Sequence, residues 1–420
     1  MPRPYARTME ERTFIYQPNT IKGNKPINIG HPYSILSVLP EKAALHSAPW
    51  VIPLSGVRVE SSSSGREVGS AQINFLLEHW SLTAEGKLVV LVVDSGYSVR
   101  PFLCQQVAHE NLVTVARVRS NRVFYQLPST CEWPRPRGHP TWYGERFDLK
   151  DETTWHPPDE TSQTTLITHR GKILTVTIKA WHQMLSRGTK DCPMHLHPFT
   201  LLQIRVTDEE GKQVWRPMWL IVIGQRRQQL TAEESWQAYR QRYDLEHFLR
   251  FGKQKLLMTA FQTPEVEREE NWIQLTLLAY AQLWAARELA VNLPRSWERY
   301  LPHSREGRIT PSVVQRDFTR IISQIGTPAK LPKPRAYTPG RTLGQSQTPR
   351  PRHQVIMRRV KKESKVSTRC LKNFPPSIKV VVFSVLYSTG LDSLCLINGL
   401  VSERRSLTSF LFVQSPNSNA

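Results

Sequence analysis

The spacing of apolar positions along this chain switches between a two-residue and a 3.6-residue period, which outlines a layered α/β protein. Segments 27–39 (INIGHPYSILSVL) and 50–60 (WVIPLSGVRVE) are rich in β-branched and apolar residues and bounded by Pro, Gly or Ser, so both predict strands, probable neighbours in one sheet by their closeness in sequence. After the polar SSSSG turn, 66–80 carries Val68, Ala71, Ile73, Phe75, Leu76 and Leu77 in a broad stripe, the pattern of a helix covering a sheet. The unbroken run from Leu88 to Val93 is what a central strand buried on both faces requires. A helix around 99–108 and a second buried strand at 112–118 complete a βαβ order, which implies a parallel central pair with right-handed crossovers.

From Phe124 to about Thr164 the sequence is irregular and rich in Pro and Trp. Strand-like pieces resume at 172–181, 201–215 and 218–224, the second holding an EEGK turn that predicts a hairpin. A capped helical pattern runs from Thr231 to about Thr259, and a buried helix is expected over about 268–292. Beyond Ser304 the chain turns basic and Pro-rich, with too little apolar content to fold, so a linker or flexible arm is expected there. Residues 371–420 switch abruptly to an apolar and Ser-rich text without clear alternation; translated non-coding sequence and a small β-hairpin appendage both fit it.

Composition then narrows the function classes. The chain has 56 Lys and Arg against 35 Asp and Glu, a formal charge of +21, which favours polyanions and makes nucleic acid the leading partner. Five scattered cysteines without a CxxC pair fit a reduced cytoplasm, and the N-terminal text has no apolar signal region. The apolar stretch 380–397 contains Asp392, so no transmembrane helix is expected. Cys192, His195 and His197 sit close together in CPMHLH, but a fourth ligand at zinc-finger spacing is missing and a surface loop is the plainer reading.

Two places carry candidate chemistry. Asp94 ends the most apolar strand and is followed by Ser95, Gly96 and Tyr97; ligands of open parallel sheets bind beyond such carboxyl ends. An Asp that merely caps the next helix is the competing reading. Downstream, at about 100° per residue, Tyr239, Arg242, Glu246, Arg250 and Lys253 share a strip roughly 80° wide on one helix, with Leu245, Phe248, Leu249 and Leu256 opposite. An amphipathic helix with surface pairs such as Glu246 and Arg250 competes with a functional reading.

The spacing Tyr239-x2-Arg242-x3-Glu246-x6-Lys253 resembles the Y-R-E-K signature of DDE transposases of bacterial insertion sequences, in the insertion-sequence-four superfamily. Asp94-Ser95-Gly96-Tyr97 resembles the same group's pattern around its second catalytic Asp. The resemblance spans roughly residues 15–325 and implies a ribonuclease-H-like mixed sheet flanked by helices, with a β-rich insertion before the Glu helix and a disordered C-terminal tail. The expected division is a first core part at 1–119, the insertion at 120–228, a helical remainder at 229–325 and a linker and tail at 326–420.

The resemblance implies Asp94 and Glu246 as catalytic ligands of Mg²⁺ or Mn²⁺, since hard carboxylate oxygens suit a pair of metals that activate a nucleophile and stabilise a leaving oxygen. It implies Tyr239, Arg242 and Lys253 as phosphate grips on double-stranded DNA at transposon ends, in a homodimer, in the cytoplasm near the nucleoid and away from membranes. Trp215 or Trp219 could hold a flipped base by stacking, but a buried core role is the plainer reading for either. The pattern is incomplete: no Asp precedes Asp94, neither Glu10 nor Glu11 ends an apolar strand, and an N-terminal truncation is the expected cause. The expected activity is strand cleavage and transfer at insertion-sequence ends, or its loss. The alternatives are a non-catalytic DNA-binding remnant and a ribonuclease-H-like nuclease unrelated to mobile DNA.

Overall fold

In the computed structural model, the described residues are 1–16, 27–40, 48–79, 88–128, 142–168, 171–301, 307–326, most of 340–357 and, as backbone alone, 381–385. The chain divides into two compact units, the first made of Met1–Tyr280 with Pro351–Leu386 and the second beginning at Ala281. A nine-stranded mixed sheet organises the first. Two short strands, β1 (Thr13–Tyr16) and β2 (Ile27–Gly30), pair with each other beside it. The sheet itself begins with β3 (Tyr33–Leu39) and β4 (Ile52–Arg58), an antiparallel pair. Segment 27–39 is thus two strands, not one; His31 and Pro32 break it, Pro32 lacking the N–H a ladder needs.

Helix α1 (Gly65–His79) lies against β3 and seats Ile73, Leu76 and Leu77 in the core, while Phe75 stays exposed and stacks on His79. Strand β5 (Val89–Val93) is buried at every position, as its unbroken apolar run predicts. Helix α2 (Arg100–Val107) returns the chain to β6 (Leu112–Val118), which pairs parallel with β5. Strands β7 (Val123–Tyr125) and β8 (Arg146–Asp148) then form a small antiparallel pair of their own.

The expected β-rich insertion extends the same sheet. Strands β9 (Glu160–Ile167), β10 (Ile173–Met184), β11 (Phe199–Thr207) and β12 (Met218–Ile223) continue it antiparallel from β6 in the order β6-β12-β11-β10-β9. The EEGK turn is present: Gly211 takes a positive φ of 79°, and Val214 N–H returns to Val206. Strand β9 is absent from the sequence reading because it is a mostly polar edge strand, ETSQTTLI, with little apolar alternation to detect. Trp219 belongs to a buried cluster with Phe147, Trp155 and Trp181, whereas Trp215 is exposed.

Helix α3 (Ala232–Gln241) opens with a capping box in which Thr231 and Glu234 satisfy each other's backbone N–H groups. Helix α4 (Asp244–Lys255) follows, then α5 (Val266–Ala285). The single helix expected over 231–259 is therefore two. At the break, the N–H groups of Arg242, Tyr243, Leu245 and Glu246 each bond three residues back, the tighter 3₁₀ pattern, without any Gly or Pro to announce it. Helix α6 (Pro311–Ile325), capped by Thr310, belongs to the second unit.

One strand comes from the far end of the chain. β13 (Val381–Val385) lies between β3 and β5, parallel to the first and antiparallel to the second. The remainder of 358–420 lies outside the described residues. Among the described residues, no helix is long and apolar enough to cross a membrane.

A pair of cysteines offers a check on this packing. The thiols of Cys104 on α2 and Cys192 are in hydrogen-bonding contact, and burial together with that neighbour raises the Cys104 pKa. Mild oxidation with diamide, which removes two protons and two electrons from the pair, is expected to join them within one chain. Peptide mapping should find the cross-link, and Cys104→Ser should abolish it. Failure of the wild-type pair to link would mean that α2 and the Cys192 loop do not meet.

Candidate nuclease site

Asp94 follows the last residue of β5 and stands exposed at the carboxyl end of the parallel β5–β6 pair. Its Oδ1 accepts the Gly96 N–H at 2.8 Å, and a Cβ on Gly96 would stand only 3.0 Å from that same oxygen. Glycine at this place leaves the carboxylate room to fold over its own turn. Tyr97 anchors the turn from below, packing on Phe102 and donating to the Gly65 carbonyl at 3.3 Å. Burial and the nearby Asp94 charge both raise the Tyr97 pKa, so the phenol stays neutral. The helix-capping alternative for Asp94 does not hold: the N-cap of α2 is Val99, and no side chain caps it.

The second cluster sits at the α3–α4 corner. Arg242 donates to Glu246 Oε1 at 3.3 Å, and its guanidinium lies over the Tyr239 ring at 5.5 Å. These three residues are brought together as the shared helical strip predicts, and the pairing is Arg242 with Glu246, not Glu246 with Arg250. The Glu246 side chain is 46% exposed. Tyr239 is buried, and its hydroxyl has no hydrogen-bond partner among the described residues, so it does not present that hydroxyl to a phosphate at the surface. Lys253 is exposed on the last turn of α4, two turns beyond Glu246.

Register across the sheet aligns Leu39 with Ser384 and Ser384 with Val90, so Pro40 lies level with the start of β5. Gln241, next to Arg242, donates to the Pro40 carbonyl. The α3–α4 corner is therefore anchored near the beginning of β5, whereas Asp94 follows its end. Among the described residues, no group of three His, Cys, Asp or Glu side chains could hold a metal ion, and Cys192, His195 and His197 form no such group. His195 instead stacks on Trp142 at 4.4 Å.

Each carboxylate is by itself a suitable hard ligand for Mg²⁺ or Mn²⁺.

Residues 1–187 match the family model described as DDE superfamily endonuclease. The matched span contains Asp94 and ends before α3, so Tyr239, Arg242, Glu246 and Lys253 lie outside it. The match covers less than half of the chain and supports a DDE-type relationship for its first part. No curated protein matches the chain.

Proposed function

We propose that this protein cleaves and transfers DNA strands at insertion-sequence ends, acting as a homodimer on paired ends with Asp94 and Glu246 as carboxylate ligands of divalent Mg²⁺ or Mn²⁺. The observation that carries the reading is the exposed Asp94 at the carboxyl end of the central parallel pair, inside the span that matches a DDE endonuclease family. Phosphodiester cleavage needs an activated nucleophile and a stabilised leaving oxygen, which a bound pair of metals supplies. Arg242 and Lys253 offer the positive groups for phosphate contact on the helix that carries Glu246. This reading requires Asp94 at the β5 tip and Glu246 in the first turn of α4 to share the metal site when DNA is bound.

The second reading is a DNA-binding protein that occupies element ends without cutting. The tie of Gln241 to Pro40, level with the start of β5 while Asp94 follows its end, favours it. Both readings lead to duplex binding that weakens steeply with salt. Metal-dependent nicking separates them. Wild-type protein with Mg²⁺ is expected to nick DNA carrying the element's terminal repeats, and Glu246→Gln is expected to bind the same DNA while losing cleavage by about a thousandfold or more. Gel assays of nicked product check this; wild-type binding without nicking in either Mg²⁺ or Mn²⁺ would leave the binder reading standing.

A further inference from the structure

Near the carboxyl end of β6, a half-open cavity of about 250 Å³ is lined by Arg100, Arg122 and Arg187 together with Ser98. Among the described residues, no Asp or Glu lines it. Its guanidiniums come from three separate stretches: the first turn of α2, the turn between β6 and β7, and the segment after β10. Arg122 is held in place by donating to the Ser98 carbonyl at 3.3 Å. Arg187 lies over the Tyr125 ring at 5.0 Å, which fixes its plane at the rim. The floor is apolar, with Phe124, Phe199 and Ile221, so a charge placed there is less screened than at an open surface.

Three like charges around one hollow repel one another, and nothing among the lining residues neutralises them. Planar guanidinium forks match the oxygens of a phosphate better than those of a point-like anion. We infer that this cavity is a phosphate subsite, holding one phosphodiester of the DNA strand that runs past Asp94. Ser98, four residues after Asp94, lines the same cavity; its carbonyl accepts from Arg122 and its hydroxyl donates to the Ser95 carbonyl at 3.0 Å, which ties the subsite to the Asp94 turn. This rests on the DNA-strand reading proposed above and names where that strand is gripped. The grip is independent of metal and of cleavage.

The test is fluorescence anisotropy of a short labelled duplex over a salt series, without divalent metal, for wild type, Arg122→Gln, Arg187→Gln, the double variant and Lys172→Gln. Lys172 is an exposed cation at the β9–β10 turn and lines no part of the cavity. Each Arg variant is expected to weaken binding about tenfold and to reduce the log–log salt slope by about one, with Lys172→Gln close to wild type. Arg187 is exposed and its loss breaks only a ring contact, so that variant reports on binding without a folding defect; thermal melts of every variant confirm it. Inorganic phosphate added as competitor should displace the duplex less effectively from the double variant.

If wild type binds DNA and both Arg variants keep its affinity and slope, the subsite is wrong while the DNA reading stands. Equal losses for Lys172→Gln would also overturn it, since general charge would then suffice. If wild type binds no DNA at all, both fail together.

Discussion

Replacing Glu269 with Gln is expected to destabilise the first unit by about 3–5 kcal/mol, the cost of leaving a buried opposite charge without its partner. Glu269 is fully buried near the start of α5. Arg3 Nε donates to one of its oxygens at 2.8 Å; His31 Nδ1 lies 3.0 Å from the other, which Tyr33 also reaches through its hydroxyl. The second His31 nitrogen faces the Glu10 carbonyl at 2.8 Å, so both ring nitrogens are in hydrogen-bond contact. Burial alone would raise the Glu269 pKa. The His31 hydrogen bond and charge, with the bonds from Tyr33 and Arg3, override it and lower the pKa from 4.5 to about 2.

The sign of the pH effect follows from that depression. A carboxylate whose pKa is lower in the folded chain stabilises it fully above the ordinary value and loses that contribution as pH falls from 4.5 towards about 2. The shift corresponds to roughly 3 kcal/mol. Thermal and chemical denaturation of wild type and Glu269→Gln between neutral pH and the acid limb checks both points. The melting midpoint should drop by roughly 10 °C at neutral pH, and the difference between the proteins should shrink on acidification. A variant within about 1 kcal/mol of wild type at neutral pH would mean that the network contributes little.

This network also shows where sequence reading stops. The buried character of α5 is visible in its Leu, Ala and Trp content, but nothing local marks Glu269 as the partner of Arg3, His31 and Tyr33, which lie 266, 238 and 236 residues away. Strand β5 and its exposed terminal Asp94 are legible because burial on both faces leaves an unbroken apolar run with a polar stop. The grouping of Tyr239, Arg242 and Glu246 is legible from helical spacing alone. The break at Arg242 and Tyr243 is not, because both residues keep helical φ and ψ and only the hydrogen-bond pattern tightens.

The depth of Tyr239 and the anchoring of Gln241 to Pro40 are tertiary facts, set by how α3 crosses the sheet. Arg122 had a local signal, the basic text ARVRSNR ending β6, yet its partners in the cavity come from other stretches. The division of the chain into functional parts along the expected boundaries 1–119, 120–228 and 229–325 remains part of the proposal. In the structure, the strands of the first two share one sheet.

The central claim is that Asp94 and Glu246 close on one metal site when DNA is bound. Iron(II) substituted for Mg²⁺ in such a site generates hydroxyl radicals with ascorbate and peroxide, and these cut the polypeptide only near the bound ion. With duplex DNA present, mass spectrometry of the fragments should find cuts beside both residue 94 and residue 246. Excess Mg²⁺ should suppress both cuts together. Asp94→Asn should eliminate both at once, because the amide oxygen still accepts the Gly96 N–H while the charge that holds the metal is gone. Cuts confined to one of the two places, or a pair unaffected by Asp94→Asn, would contradict a shared site and leave a protein that holds DNA without cutting it.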